Sequence, residues 1–283
     1  MVTEDVACSV RLVIAIAVMV SASVSDVRTR HVSDRHWLVL CVSGVSAEAV
    51  VLSHSDPYAA VAYAVGASLL TVYMLSDVHF AILVPAVLSL VVPALSGSPV
   101  GSQVALVPAL YLSFLALYMS KVVVGGADIK FLMSVAMAFP STSVHPCLPL
   151  PLSEPGPVMM VPAVAALLMA LALTLSGSLM MLLRNVRDGH VGRGSLSSYV
   201  VDVSGADPVF VWPVEDPRCP GVPHRGSPDD AADILEYCRE NGVERIRVTP
   251  AVPFILSLTA AFVATVLLGD PLSYLDVYAV SAR

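Results

Sequence analysis

The feature that most limits how this chain can fold is apolar sequence that recurs along almost its whole length. Apolar runs fall at about 8–25, 37–53, 58–75, 79–95, 102–120, 128–145, 157–183 and 251–269. A bilayer-crossing helix needs roughly 20 mostly apolar residues, within a range of about 17–25. The runs are of that order, and their Ala, Val and Leu residues do not alternate as the strands of a membrane barrel would. Hydrophobic residues make up 57% of the chain and charged residues 13%, against about 25% charged in a soluble domain. The expectation is therefore an all-α polytopic membrane protein of about eight transmembrane helices (six to eight), with a small cytoplasmic α/β insert. Pro85, Pro93 and Pro108 lie inside runs, which membrane helices tolerate when neighbours re-satisfy the freed backbone groups. The first ten residues carry Glu4 and Asp5 rather than a basic segment, so the first run reads as a retained helix and not as a cleaved signal peptide.

Charge gives the runs an orientation. With the N-terminus outside and every run crossing, the inside segments are 26–36, 76–78, 121–130 and 184–250. They hold 13 of the 15 Lys and Arg residues, and only Arg11 and Arg283, near the two ends, fall elsewhere. Lys and Arg accumulate on cytoplasmic loops, so this orientation is expected and its reverse would violate the bias at nearly every loop. The net charge of −7 includes no basic stripe, so a nucleic-acid partner is not expected. Cys8, Cys41, Cys147, Cys219 and Cys238 are far apart. They suggest neither a zinc site nor a disulfide framework.

The chain divides into a transmembrane core over 1–183, a hydrophilic insert over 184–250, and a final helix with its tail over 251–283. The first part of the insert is rich in Gly, Ser and Arg and reads as loop. Ser227-Pro228-Asp229-Asp230 has the form of a helix start, with an N-cap serine, proline at N1 and acids in the first turn. That helix is expected to reach about Glu240, with Ile234, Leu235 and Cys238 on one face, and to stop at Asn241-Gly242. Arg245 to Thr249 then reads as a short strand.

Charges at the edge of apolar spans are costly and need a reason. Asp26 closes the first span and Asp128 opens the sixth, so the expected topology brings both to the cytoplasmic face. Two carboxyls about 3 Å apart cannot both ionise easily and share a proton. The ionised one can take a proton from water while the other donates to a scissile carbonyl, as in an aspartic protease. The pair would titrate as a unit. Gly125, Gly126 and Ala127 lack bulk and would let an extended substrate pass close to Asp128. The plainer reading of each aspartate is a solvated helix end, and Asp128 also complements the dipole of its helix.

These residues carry a resemblance. Asp26-Val27-Arg28-Thr29-Arg30 resembles the first motif of the type IV prepilin peptidase family, the intramembrane GxGD-type aspartic proteases. Gly126-Ala127-Asp128-Ile129-Lys130 is similar to the second motif of its archaeal preflagellin (prearchaellin) peptidase branch. Val248-Thr249-Pro250, Pro253-Phe254 and Gly269-Asp270 resemble the last helix of those enzymes. The resemblance implies an aspartic-type endopeptidase of the cell membrane. It would cut the basic leader from prepilin or preflagellin precursors at the cytoplasmic face, with Asp26 and Asp128 as the catalytic pair. It implies no metal or organic cofactor. The chain departs from the broader pattern in having Ala127 where Gly precedes the aspartate, which the archaeal branch tolerates. It also lacks the cysteine pairs of many bacterial members. Four apolar runs separate its two aspartates, where compact archaeal members have two.

Other residues have plainer readings. Glu48 lies inside the second run among small neighbours and reads as a buried, hydrogen-bonded group, although an intramembrane carboxylate is a functional candidate by default. Lys130 follows Asp128 by two positions and so faces another side of the helix, as an interfacial anchor or a contact to substrate or motif. Asp77 and His79 read as a solvated turn near the proposed site. His31, Asp34 and His36 read as a solvated loop rather than a metal site, and Asp270 as a cap on the outer side. An ion-coupled secondary transporter using Glu48, Asp26 and Asp128 stays open as an alternative. Against it, no internal repeat is evident and the aspartates sit at the membrane edge. A non-catalytic scaffold that binds a partner through 184–250 is a third reading.

Overall fold

The structure is a computed structural model that describes residues 2–76, 78–96, 99–120, 125–140, 161–190, 192, 194–218, 228–250 and 253–269. Asp77, Lys121, Cys147, Arg193, Cys219, Arg225, Ser227, Asp270 and Arg283 lie outside the described residues. The chain forms two compact units, Met1–Ala170 with Ile255–Arg283, and Leu171–Phe254.

Each apolar run contains a helix. The helices are α1 (Val2–Thr29), α2 (Asp34–Ser55), α3 (Pro57–Leu75), α4 (Leu83–Val91, between 3-10 turns at Phe80–Ile82 and Val92–Ser96), α5 (Pro99–Met119), α6 (Gly126–Ala138) and α7 (Pro162–Arg187). The last run forms a further helix at Phe254–Leu268. Five of them, α1, α2, α3, α5 and α7, are long and apolar enough to cross a membrane, and the helices over Phe80–Leu95 and Phe254–Leu268 are shorter apolar ones. With the small sheet described below, this is an all-α polytopic membrane architecture.

The first unit is apolar on its surface as well as in its core. On α1 the buried residues are Cys8, Arg11, Ala15, Met19, Ala22 and Ser23, while Val6, Val10, Val13, Val20 and Val24 are exposed. The three- and four-residue spacing of the buried set makes one helical stripe, and Asp26 continues it. Thr29 and Ser25 close the helix by donating to the His31 carbonyl at 3.1 and 2.7 Å. Arg30 then adopts a left-handed backbone with φ of 55°, a conformation that ends helices. Ser33 caps α2 by accepting from the Arg35 amide. Asp56 caps α3 by accepting from the Tyr58 and Ala59 amides, with Pro57 at the first helical position.

Two glycines allow helices to touch backbone to backbone. A Cβ on Gly44 of α2 would overlap the Ala138 Cβ of α6 and lie 2.6 Å from its Cα. A Cβ on Gly66 of α3 would meet the Ala86 carbonyl oxygen of α4 at 2.9 Å and the Ser89 hydroxyl at 2.7 Å. Helix α6 is the centre of the unit, with every residue from Phe131 to Ala138 buried. Trp37 of α2 packs edge-on against Phe131 at 5.9 Å between ring centroids.

The sixth run is shorter as a helix than its apolar extent of 128–145 implies. Helix α6 stops at Ala138, and Phe139 leaves helical geometry with φ −134° and ψ 71°. Pro140 follows, and a proline disfavours helical backbone in the residue before it. At 1.5 Å per residue α6 is about 20 Å long, short of a hydrocarbon core about 30 Å thick. Residues 141–150, which hold the remainder of that run, lie outside the described residues.

The second unit contains the end of α7 and the insert, with β1 (Tyr199–Asp202), β2 (Val211–Pro213), α8 (Pro228–Glu240) and β3 (Arg245–Pro250). The helix over Phe254–Leu268 becomes α9. The strands form an antiparallel sheet in the order β1-β3-β2. One face of α8, carrying Ile234, Leu235 and Cys238, packs with Val203, Val211, Ile246 and Val248 in a small core. Burial there pushes the Cys238 thiol up from its ordinary pKa. Gly242 ends α8 with φ of 69°. Its amide bonds the Arg239 carbonyl while the Val243 amide bonds the Cys238 carbonyl at 2.9 Å, the paired bonds of a Schellman stop. Strands β1 and β2 occupy sequence expected to be loop. They are too short to alternate visibly, and both exist by pairing with the distant β3.

Candidate active site

Asp26 lies in the last turn of α1 and Asp128 in the first turn of α6. The fold leaves them close enough for the charge of Asp26 to act on Asp128. A third helix end joins them. The Asp26 carboxylate accepts a hydrogen bond from the Ile255 backbone amide at the start of α9. Arg30, one turn beyond Asp26 in the chain, also attracts it electrostatically. A cation and a helix N-terminus thus both complement negative charge at Asp26. Ser23 braces the same junction: its hydroxyl donates to Thr259 Oγ1 of α9 at 2.9 Å and to the Met19 carbonyl at 2.8 Å.

The glycines before Asp128 differ in what they permit. A Cβ on Gly125 would overlap Asp128 Oδ2 and lie 2.8 Å from its Cγ, because the carboxyl folds back over the helix start. A Cβ on Gly126 would meet nothing closer than the Tyr118 hydroxyl at 3.9 Å. Gly126 and Lys130 both line a cavity of about 480 Å³, together with Tyr73, Tyr111, Tyr118 and Met133. Asp128 follows Gly126 by two positions, about 200° around the helix, so this cavity is on another side of α6 from the carboxyl. Ala127 is partly exposed. Lys130 pairs with Asp34 of α2, Nζ to Oδ1, at 2.6 Å.

His36 uses both ring nitrogens locally, Nδ1 at 3.0 Å from the Ser33 carbonyl and Nε2 at 3.2 Å from the Ser21 hydroxyl. His79 caps the 3-10 turn, its Nδ1 accepting from the Ala81 amide at 3.2 Å. Glu48 is buried and forms an ion pair with Arg11. This pairing was hidden in the sequence because Arg11 reads as a stray end charge, although it shares a helical stripe with Asp26. The Ile255 amide has no side-chain signature, so only the fold reveals it.

Asp26 and Asp128 thus lie at two helix ends within electrostatic reach of one another. The model of the type IV leader peptidase family matches residues 13–183. This chain belongs to that family. The match takes in Asp26, Asp128 and the helices between them, while the insert and α9 follow it. Neither a curated protein nor a solved structure matches the chain significantly. Membership makes the protein a peptidase of leader-bearing, type IV prepilin-like precursors, in a multi-pass membrane setting that its apolar helices independently require.

Proposed function

We propose that this leader peptidase is an aspartic endopeptidase in which Asp26 and Asp128 are the catalytic pair. The observation that carries the reading is that two carboxyls, remote in sequence, lie at the ends of separate helices within electrostatic reach of one another. Like charges so placed favour a state with one shared proton. The ionised member takes a proton from water as the water attacks the scissile carbonyl, and the protonated member donates to the carbonyl oxygen. The tetrahedral intermediate then collapses, the amide C–N bond breaks, and the leaving nitrogen takes a proton from the pair.

The precursor is a prepilin or preflagellin, cut where its basic leader meets an apolar helix. That helix would enter laterally from the lipid bilayer, with the basic leader at the cytoplasmic face beside Asp26 and Asp128. The charge asymmetry of the loops supports this orientation, with the N-terminus outside and the insert inside. Ala127 before the aspartate favours the archaeal preflagellin branch. Gly125 gives Asp128 its room, and Gly126, Ala127 and Lys130 are the neighbouring positions proposed to support the motif or meet substrate. The transporter alternative is weakened because Glu48, its most deeply placed carboxylate, is committed to Arg11.

The test is cleavage of a prepilin-like precursor by the reconstituted protein, comparing wild type with Asp26→Ala and Asp128→Ala. Either change should abolish cleavage while the protein still inserts. Cleavage that survives in either variant removes that residue from the mechanism.

A further inference from the structure

A buried polar cluster lies at the opposite end of α6 from Asp128. Arg11 of α1 is 2% exposed and Glu48 of α2 is 3% exposed, and the two form an ion pair. The same Arg11 nitrogen donates to the Ala138 carbonyl, the last of α6, at 3.2 Å. Its guanidinium lies 4.7 Å over the Phe139 ring and 3.8 Å from Cys8 Sγ. From α3 the Tyr63 hydroxyl donates to the neighbouring carbonyl of Met137. Arg11, Glu48 and Tyr63 all sit well inside the helices that carry them.

The cluster answers a physical need. A helix end leaves carbonyls without intrahelical partners, and in lipid no water satisfies them. Helix α6 ends where its neighbours are still in mid-helix, so Ala138 and Met137 need donors there. Arg11 supplies one and also complements the negative end of the helix dipole. Glu48 balances the charge that Arg11 brings.

Stability alone does not explain why an ion pair does this. Apolar residues of the same volume are often as stable as a buried pair, or more so. What distinguishes the pair is connectivity. Arg11 is on the helix that carries Asp26, and it holds the helix that carries Asp128. Helices are stiff, so fixing α1 to α6 at this level fixes their other ends too. Asp26 is about 22 Å along α1 from Arg11, and Asp128 is about 15 Å along α6 from Ala138, at 1.5 Å per residue. Glu48 adds α2 to the tie, one turn from Gly44, which lets α2 meet Ala138 directly.

We propose that Arg11 and Glu48 are positioning residues that clamp α1 to the end of α6 and so set the approach of Asp26 to Asp128. The catalytic consequence rests on the leader-peptidase reading above, whereas the clamp itself does not.

Two readouts keep these apart. In the full-length protein in lipid vesicles, Asp26→Cys/Asp128→Cys is treated with a short bis-maleimide linker. The linked peptides are quantified by mass spectrometry, which needs no activity. Adding Arg11→Met/Glu48→Leu, which removes the pair without stranding a charge, should slow formation of the cross-link measurably. Arg11→Lys, which keeps the charge and a donor, should restore part of the rate.

In parallel, precursor cleavage is measured with both aspartates intact. Arg11→Met/Glu48→Leu should lower kcat about 10²-fold, the scale of a roughly 1 Å misplacement, with KM little changed. Its bell-shaped pH profile should also narrow, because carboxyls that move apart no longer drive their two titrations apart. A purely structural role would reduce the amount of folded enzyme and leave the profile of the remainder unchanged. If Arg11→Met/Glu48→Leu prevents insertion, the same comparison is made with Arg11→Lys and Glu48→Gln, which should show smaller shifts in the same direction.

A cross-link and a pH profile like wild type in the pair-less protein overturn the proposal. If the wild type cleaves no precursor, the leader-peptidase reading fails, and the cross-link alone decides the clamp.

Discussion

The two ends of α6 handle charge in opposite ways. At the C-terminal end, Arg11 and Glu48 neutralise one another, and Arg11 and Tyr63 donate to the last two carbonyls. At the N-terminal end, two groups of like charge are brought together, with Arg30 and the Ile255 amide beside only one of them. The first arrangement pairs the two charges it brings in, and holds a helix in place. The second places Asp128 where the charge of Asp26 acts on it, a repulsion that a shared proton relieves in the proposed mechanism. Polar groups inside a membrane are costly in either case. One end lowers that cost and the other end keeps it, so the ends should respond to mutation in opposite senses.

The largest effect is expected where the repulsion lies. Asp128→Asn keeps the shape of the side chain and removes the shared proton, so precursor cleavage should fall by at least about 10²–10⁴-fold, the range for loss of a general acid or base. The unfolding midpoint in detergent should hold or rise, since the repulsion that Asp26 exerts on Asp128 has been removed. A large loss of stability would mean that this end, too, is chiefly structural.

The converse holds at the other end. Glu48→Leu leaves Arg11 with an uncompensated buried charge, which costs about 3–5 kcal/mol. Thermal unfolding in detergent should show a steep drop in the midpoint. Arg11→Met/Glu48→Leu should recover part of it, short of the cost of leaving the Ala138 carbonyl without its donor. If the single and double variants are equally stable, the pair does not balance itself in the way its burial implies.

A smaller and more local contrast separates the two glycines. Gly125→Ala places a methyl where the Asp128 carboxyl now lies, so the carboxyl must turn away. A displacement of about 1 Å corresponds to as much as 10²-fold in rate. Gly126→Ala has open space up to the Tyr118 hydroxyl at 3.9 Å and should retain activity. Kinetics of precursor cleavage distinguish them. Equal loss in both would mean that the backbone at this helix start, rather than the room above Gly125, is what the glycines supply.

Much of this arrangement is readable in the chain itself. The apolar runs each contain a helix, and Pro228 to Gly242 sets both limits of α8. Phe139-Pro140 is a legible stop that the longer apolar run conceals. Arg11 and Asp26 fall on one helical stripe with Ala15, Met19 and Ala22, which places both inside, and Glu48 is the one acid within the apolar part of α2. That Arg11 reaches Glu48 and Ala138, rather than marking a membrane side, depends on which helices neighbour each other. Helix adjacency has no local signal. The same is true of the Ile255 amide beside Asp26, and of β1 and β2, which are defined by a partner strand far along the chain.

The weakest expected effect sharpens the comparison by changing only burial. Lys130 and Asp34 form an ion pair of the same kind as Arg11 and Glu48, on two of the same three helices. Their side chains, however, are 28% and 51% exposed. Water solvates either partner when the other is removed, so the pair should contribute only about 0.2–1 kcal/mol. Lys130→Met should therefore shift the unfolding midpoint slightly, and the shift should shrink as salt screens the exposed charges. Glu48→Leu, deep in the unit, should lose its much larger increment at any salt concentration. If Lys130→Met instead abolishes cleavage while the fold holds, Lys130 acts at the substrate through the cavity that it lines with Gly126, and its pairing with Asp34 is incidental to that role.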